Sequence, residues 1–179
     1  MAVKKAGAGQ EVPETLPVAA NERGEFPIRI ARDGTWFYRG SPIRRKALVR
    51  LFAGVLRREE NGGYSLVTPV ERGTIEVDDA PFTAVEMECE GQGRDMTIRF
   101  RTNLDEWVAA GPSNPICVEI DPETGEPAPY VTVRDDLPAL IARPVFYALA
   151  EVAVPVKADG RPVLRVWSGG AAFDLGPAE

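Results

Sequence analysis

The chain has 179 residues, a formal net charge of −6 and no histidine. Without histidine there is no Ser-His-Asp triad, no Cys-His pair and no histidine-ligated zinc or haem iron. Two cysteines, Cys89 and Cys117, are too few for an all-cysteine zinc site or a self-contained iron–sulfur cluster.

The first residues, MAVKKAGAGQ, lack the apolar core of a signal peptide. No stretch has the roughly 20 apolar residues of a membrane span. A cytoplasmic protein with reduced cysteines is expected. Residues 1–22 lack periodicity and read as a disordered tail. Two halves follow, 23–79 and 80–179.

Phe26-Pro27-Ile28-Arg29-Ile30 alternates as a strand does. Asp33-Gly34 marks a hairpin turn, and Trp36-Phe37-Tyr38 supplies the second strand. Ser41-Pro42 reads as the N-cap and first position of a helix. Its apolar face is Leu48, Val49, Leu51, Phe52, Val55 and Leu56, and Asn61-Gly62-Gly63 stops it. Strands are expected over 64–70 and 74–77. A central hairpin follows, with Val85, Met87 and Cys89 alternating with Glu86, Glu88 and Glu90. It returns through Ile98 and Phe100, alternating with Arg99 and Arg101.

The last third repeats the pattern of the first. Strands are expected over 116–120 and 130–133. A helix capped by Asp135 or Asp136 runs from about Leu137 to Glu151, and strands follow over 152–156 and 162–167. The fold class is α+β, with internal duplication of a strand-strand-helix-strand-strand unit. Ile28-Arg29-Ile30 echoes Val118-Glu119-Ile120, and Val67-Thr68-Pro69-Val70 echoes Ala153-Val154-Pro155-Val156.

No phosphate-binding loop is present: Gly7-Ala8-Gly9 and Gly91-Gln92-Gly93 lack the third glycine, and no Gly-Lys pair exists. No cofactor and no resident metal are expected. Glu86, Glu88 and Glu90 share a strand face and would suit a hard cation. Their simpler reading is a solvated row paired with Arg99 and Arg101. Asp78-Asp79 reads as a turn, and Cys89 and Cys117 as buried small hydrophobes. Lys46, Arg50 and Arg57 form a basic stripe. Arg45 lies on the apolar side of the first helix, near its N-terminus, where an anion would feel the helix dipole. Arg143 is the one charge amid the second, apolar helix, with Tyr147 one turn on and Pro144 kinking it. A buried arginine needs a protein carboxylate or a ligand anion. Arg101, Thr102 and Asn103 end the central hairpin, where they either cap a turn or line a cleft.

Several segments together resemble an uncharacterised bacterial domain-of-unknown-function family. They are Asp33-Gly34-Thr35-Trp36-Phe37-Tyr38, Gly40-Ser41-Pro42-Ile43 with Arg45 and Leu48-Val49, Thr102-Asn103, Asp121 with Thr124-Gly125-Glu126-Pro127, and Ala142-Arg143 with Val145-Phe146-Tyr147. The resemblance covers 26 to about 167. It implies a duplicated core, a second half similar to pleckstrin-homology folds, and a cleft between the halves for a nucleotide-like ligand in signalling.

The leading expectation is a non-catalytic binding or sensing protein. It takes a small anionic ligand between its halves, using Trp36, Arg45, Arg101, Thr102, Asn103, Arg143 and Tyr147. Arg45 and Arg143 would supply charge-assisted hydrogen bonds, and Trp36 or Tyr147 would stack on a ring. The runner-up is a protein-interaction module with a protein partner. Third comes an enzyme using carboxylates and magnesium, and catalytic residues are not assigned. Nucleic acid is not an expected partner of so acidic a chain.

Overall fold

A computed structural model describes residues 13–178. The described residues are mostly β-sheet with two α-helices: two six-stranded sheets, one in each half, and a three-stranded sheet.

The first sheet begins with β1 (Glu25–Ile30), whose side chains alternate strictly between solvent and core. β2 (Trp36–Tyr38) and β3 (Ser41–Pro42) continue as an antiparallel meander. Helix α1 (Lys46–Gly54) then buries Val49, Phe52 and Ala53. A second meander follows: β4 (Leu56–Arg58), β5 (Tyr64–Val67) and β6 (Arg72–Val77). Parallel pairing of β1 with β6 joins the two meanders, giving the order β3-β2-β1-β6-β5-β4.

The second sheet has the same plan. β7 (Phe82–Glu90), β8 (Thr97–Thr102) and β9 (Trp107–Ala109) form one meander. β10 (Ile116–Ile120), β11 (Pro127–Arg134) and β12 (Leu137–Ile141) form the other. β12 pairs parallel to β7, giving β10-β11-β12-β7-β8-β9. Helix α2 (Arg143–Glu151) leads to the third sheet, β13 (Val154–Ala158), β14 (Arg161–Ser168) and β15 (Ala171–Pro177). Three strands, a helix and three strands therefore occur in the first half and again from β10 to β15.

One hydrophobic cluster runs through both halves, from Leu16 to Leu175. Trp36 and Phe52 stack within it, with ring centroids 6.2 Å apart.

Several expectations are corrected. Ser41-Pro42 is a strand, because Arg39 and Gly40 both take positive φ and fold it back onto β2. Helix α1 therefore starts at Lys46, and Arg57 lies on β4. Leu137 to Ile141 is also a strand. Asp135 and Asp136, at φ 45° and 60°, make a hairpin turn instead of a helix cap. Leu137, Ala139 and Ile141 then point inward with period 2. Pro144 starts α2 instead of kinking it, since an N-terminal proline forfeits no helical hydrogen bond. Cys89 and Cys117 are exposed, not buried. Of the expected tail, 1–12 lies outside the described residues. Within the rest, Leu16 is buried and its N–H donates to the Glu71 carboxylate at 2.9 Å, with Val18 and Ala20 against the core.

Candidate functional site: a cleft between the halves

Side-chain hydrogen bonds stitch the two halves together. Asn103 accepts from the Thr83 N–H at 3.0 Å and donates to the Gly34 carbonyl at 3.1 Å. Lys46 and Arg50 reach from α1 to Asp105, at 2.8 and 2.5 Å. Arg134 donates to the Ala53 carbonyl at the end of α1, at 2.8 Å, where a cation suits the free carbonyls and the helix dipole. Tyr130 donates to Asp79 at 2.7 Å. Asp79 also meets Arg32 at 3.3 Å. Burial first, and then this carboxylate, push the Tyr130 hydroxyl well above the usual tyrosine range.

Beside this seam opens a cleft of about 500 Å³, within the roughly 300–1,000 Å³ common for small-molecule sites. Three elements build it. The β1–β2 turn of the first half contributes Arg32. The β10–β11 turn contributes Asp121, Thr124 and Glu126. The start of α2 contributes Arg143, Phe146 and Tyr147. Pro127, Pro129 and Leu140 give it apolar surface.

Local chemistry fixes each part. Asp121 accepts from the N–H groups of Glu123 and Thr124, at 2.8 and 3.0 Å. This ties the β10–β11 turn and holds the Asp121 carboxyl below its ordinary range, with Arg32 adding to the effect. The turn presents Glu126 to Arg143 at 3.3 Å. No side chain caps α2, and Pro144 in its first turn has no N–H.

Two of the expected site residues, Arg143 and Tyr147, line this cleft. Arg143 is not buried: its side chain is 69% exposed and Tyr147 is 58% exposed. The helix start places both at the surface. Trp36 lies 1% exposed in the core and offers no open face. Arg45 is exposed at the N-cap of α1, and its carbonyl accepts from Leu48 and Val49. Arg101 is paired with Glu86 and Asp105, at 2.6 and 2.8 Å. Thr102 is buried, and its hydroxyl accepts from the N–H groups of Leu104 and Glu106 in the following turn. Asn103 is engaged in the seam. Arg32, Glu126 and Phe146 were not singled out from sequence. Arg32 gave one signal, its place beside the Asp33-Gly34 turn; Glu126 and Phe146 lie within the quoted segments.

The acidic row of β7 is paired across the hairpin: Glu86 with Arg101, Glu88 with Arg99 at 3.5 Å, and Glu90 with Arg99 at 3.8 Å. Among the described residues no group of three metal-ligating side chains converges. The basic stripe is divided too. Lys46 and Arg50 share Asp105, while Arg57 donates to the Leu56 carbonyl at 2.7 Å. No described helix is long and apolar enough to cross a membrane.

Fold and cleft together define a sheet-rich protein of two halves with a polar-rimmed cavity between them. The chain belongs to the DUF1285 family. Its N-terminal domain, a domain of unknown function, matches residues 18–80, and its C-terminal domain, from a protein of unknown function, matches 81–175. A DUF1285 protein of Silicibacter pomeroyi DSS-3 is 49% identical, with a TM-score of 0.79, covering 89% of this chain and 85% of that one. A DUF1285 protein of Shewanella baltica OS155 shares the fold at 21% identity, with a TM-score of 0.55, over 70% of this chain and 91% of that one. No functionally curated protein matches.

Proposed function

We propose that this chain is a non-catalytic binding protein that takes a small anionic, nucleotide-like ligand in the cleft between its halves. One observation carries the reading: arginines from both halves, Arg32 and Arg143, line a single cleft with an exposed tyrosine ring. Each arginine is held by one carboxylate at 3.3 Å, and both guanidinium groups are largely exposed. The Arg143–Glu126 pair is exposed on both sides and worth about 0–1 kcal/mol, so a phosphate competes with it easily. Tyr147 offers a face for a ring, and Phe146 and Pro129 an apolar flank.

The same reading takes the two-half plan as an internal duplication and the second half as pleckstrin-homology-like. The recurrence of three strands, a helix and three strands supports it. So does a likeness in sheet order, with the first and last strands of each sheet paired in parallel. The reading includes a cytoplasmic signalling role. The interaction-module reading has one observation of its own, the exposed Trp107 on edge strand β9.

A thermal-shift screen of nucleotides, dinucleotides and cyclic nucleotides, with and without magnesium, tests the proposal. At about 100 times its dissociation constant a ligand stabilises by roughly 2.7 kcal/mol. The expected result is a dose-dependent rise that Arg143→Ala cuts by about half or more. A panel without any shift overturns the ligand reading.

A further inference from the structure

The charged residues that line the cleft between the halves are not equivalent. Glu126 and Arg143 pair with each other at 3.3 Å. Arg32 keeps its Nε beside Asp79, at 3.3 Å. Asp79 is in turn held by the Tyr130 hydroxyl at 2.7 Å. Asp121 also lines the cleft, yet it forms no ion pair among the described residues.

Asp121 is nevertheless a fixed group. The N–H groups of Glu123 and Thr124 both donate to the same oxygen, Oδ1. The Thr124 hydroxyl accepts from the Glu126 N–H at 3.2 Å, which tightens the same turn. An ionised carboxylate has about four acceptor positions, so Oδ2 keeps capacity for a donor from outside the protein. Arg32 reaches the cleft from the other half. Its charge is felt at Asp121, although the two do not pair. The Arg32 side chain is 61% exposed, and its terminal nitrogens donate no hydrogen bond among the described residues.

A phosphate suits only one of these two groups, because Asp121 repels it. Hydroxyls suit both. A hydroxyl oxygen accepts from a guanidinium N–H, and its proton is donated to a carboxylate. Two neighbouring hydroxyls span a wider gap, one serving each side. The ribose of a nucleotide carries such a pair, and carboxylates hold ribose hydroxyls in dinucleotide-binding folds by the same chemistry. Phosphate is then left to Arg143, whose exposed pair with Glu126 competes weakly.

We propose that Arg32 and Asp121 form a ribose subsite in this cleft, so that the protein prefers ribonucleotides to 2′-deoxyribonucleotides. The inference rests on the reading of the cleft as a nucleotide site and adds the sugar that it selects.

Calorimetric titration of the full chain tests it, with AMP, GMP, CMP and UMP each set against its 2′-deoxy counterpart. The expected result is about tenfold tighter binding of the ribose member, the worth of one hydrogen bond to a charged group. Asp121→Asn keeps an oxygen for the two turn N–H groups and puts an amide nitrogen in place of Oδ2. It should bind both members alike and melt within a few degrees of the parent. Arg32→Gln, at an exposed side chain outside that turn, should narrow the ratio too, and it carries the test should Asp121→Asn loosen the turn. Arg143→Ala should weaken both members equally and leave the ratio intact. Equal affinity for the two sugars in the parent protein overturns the subsite and leaves the nucleotide reading standing. So does a preference that survives both Asp121→Asn and Arg32→Gln. Absence of binding by every nucleotide overturns both.

Discussion

Asn103 and Gly34 hold the two halves together through a contact that only glycine allows. The Asn103 amide donates to the Gly34 carbonyl, and its oxygen accepts from the Thr83 N–H. Gly34 sits at φ 88°, and a Cβ there would lie 2.7 Å from Asn103 Nδ2 and 2.8 Å from Thr83 Oγ1. Gly34→Ala should therefore cost about 1–3 kcal/mol from the left-handed backbone, plus displacement of the amide. Asn103→Ala leaves one carbonyl and one N–H without partners, at about 1–3 kcal/mol for each group that is buried. Denaturant midpoints check both. A parent-like Gly34→Ala would show that the Asn103 contact is dispensable.

Asp105 is a second joint, gathering Lys46, Arg50 and Arg101. The Lys46 hydrogen bond, chiefly, holds its carboxyl below the ordinary range. A depressed carboxylate contributes stability above its unfolded pKa, about 3.9. That stability is lost as pH falls through the lower folded value. Asp105→Asn should be less stable than the parent at neutral pH. The gap should close as pH falls below about 4. Urea midpoints across pH 2–7 measure it, and a gap independent of pH would assign the effect to packing.

Tyr130 gives the opposite limb. Its hydroxyl is held protonated above the ordinary tyrosine range, by burial and then by Asp79. The unfolded chain begins to release this proton near pH 10, while the folded chain retains it. Stability should fall as pH rises above about 10. Tyr130→Phe removes that part of the alkaline loss, and it removes one of the two partners of Asp79, which is 15% exposed. Melting temperatures from pH 8 to 11 should fall more steeply for the parent than for Tyr130→Phe.

Much of the strand plan was legible, and the reason is periodicity. Ile116–Ile120, the central hairpin and the Trp36 strand each alternate over a turn signal, and each is found. The two helix starts were misread for one reason. Ser41-Pro42 and Asp135-Asp136 are residues of good helix caps and also of tight turns. What decided between them was tertiary: β2 and β11 offered open edges for pairing. Arg143 was singled out from sequence and lines the cleft, but its exposure was not legible, because the strand before it was read as helix. Trp36 was counted among the site residues although a tryptophan is most often core, and the core is where it lies. Arg32 came to the cleft through packing of one half on the other, which no local pattern encodes.

The core prediction is plain. Phe52 is fully buried and stacks on Trp36 at an interplanar angle of 12°. Phe52→Ala should cost about 3–5 kcal/mol. Both six-stranded sheets contribute to the same hydrophobic cluster, so unfolding should stay a single transition, read identically by far-ultraviolet dichroism and tryptophan fluorescence. Two separated transitions would mean that the halves fold independently.

The cleft makes a prediction in which stability and binding part company. Arg143 and Glu126 are both mostly exposed, so breaking their pair should change stability by no more than about 1 kcal/mol. Binding of an anion should respond in opposite directions to the two substitutions. Arg143→Ala removes a charge-assisted donor, worth about 1.5–3 kcal/mol, or roughly ten- to a hundredfold in affinity. Glu126→Gln removes the carboxylate that competes for the same guanidinium, and should tighten binding of the same nucleotide several-fold. Calorimetric titration of both variants with the best hit of the screen reads the contrast. Equal losses in the two would show that the ion pair serves as structure, holding the β10–β11 turn against α2, and that the anion sits elsewhere.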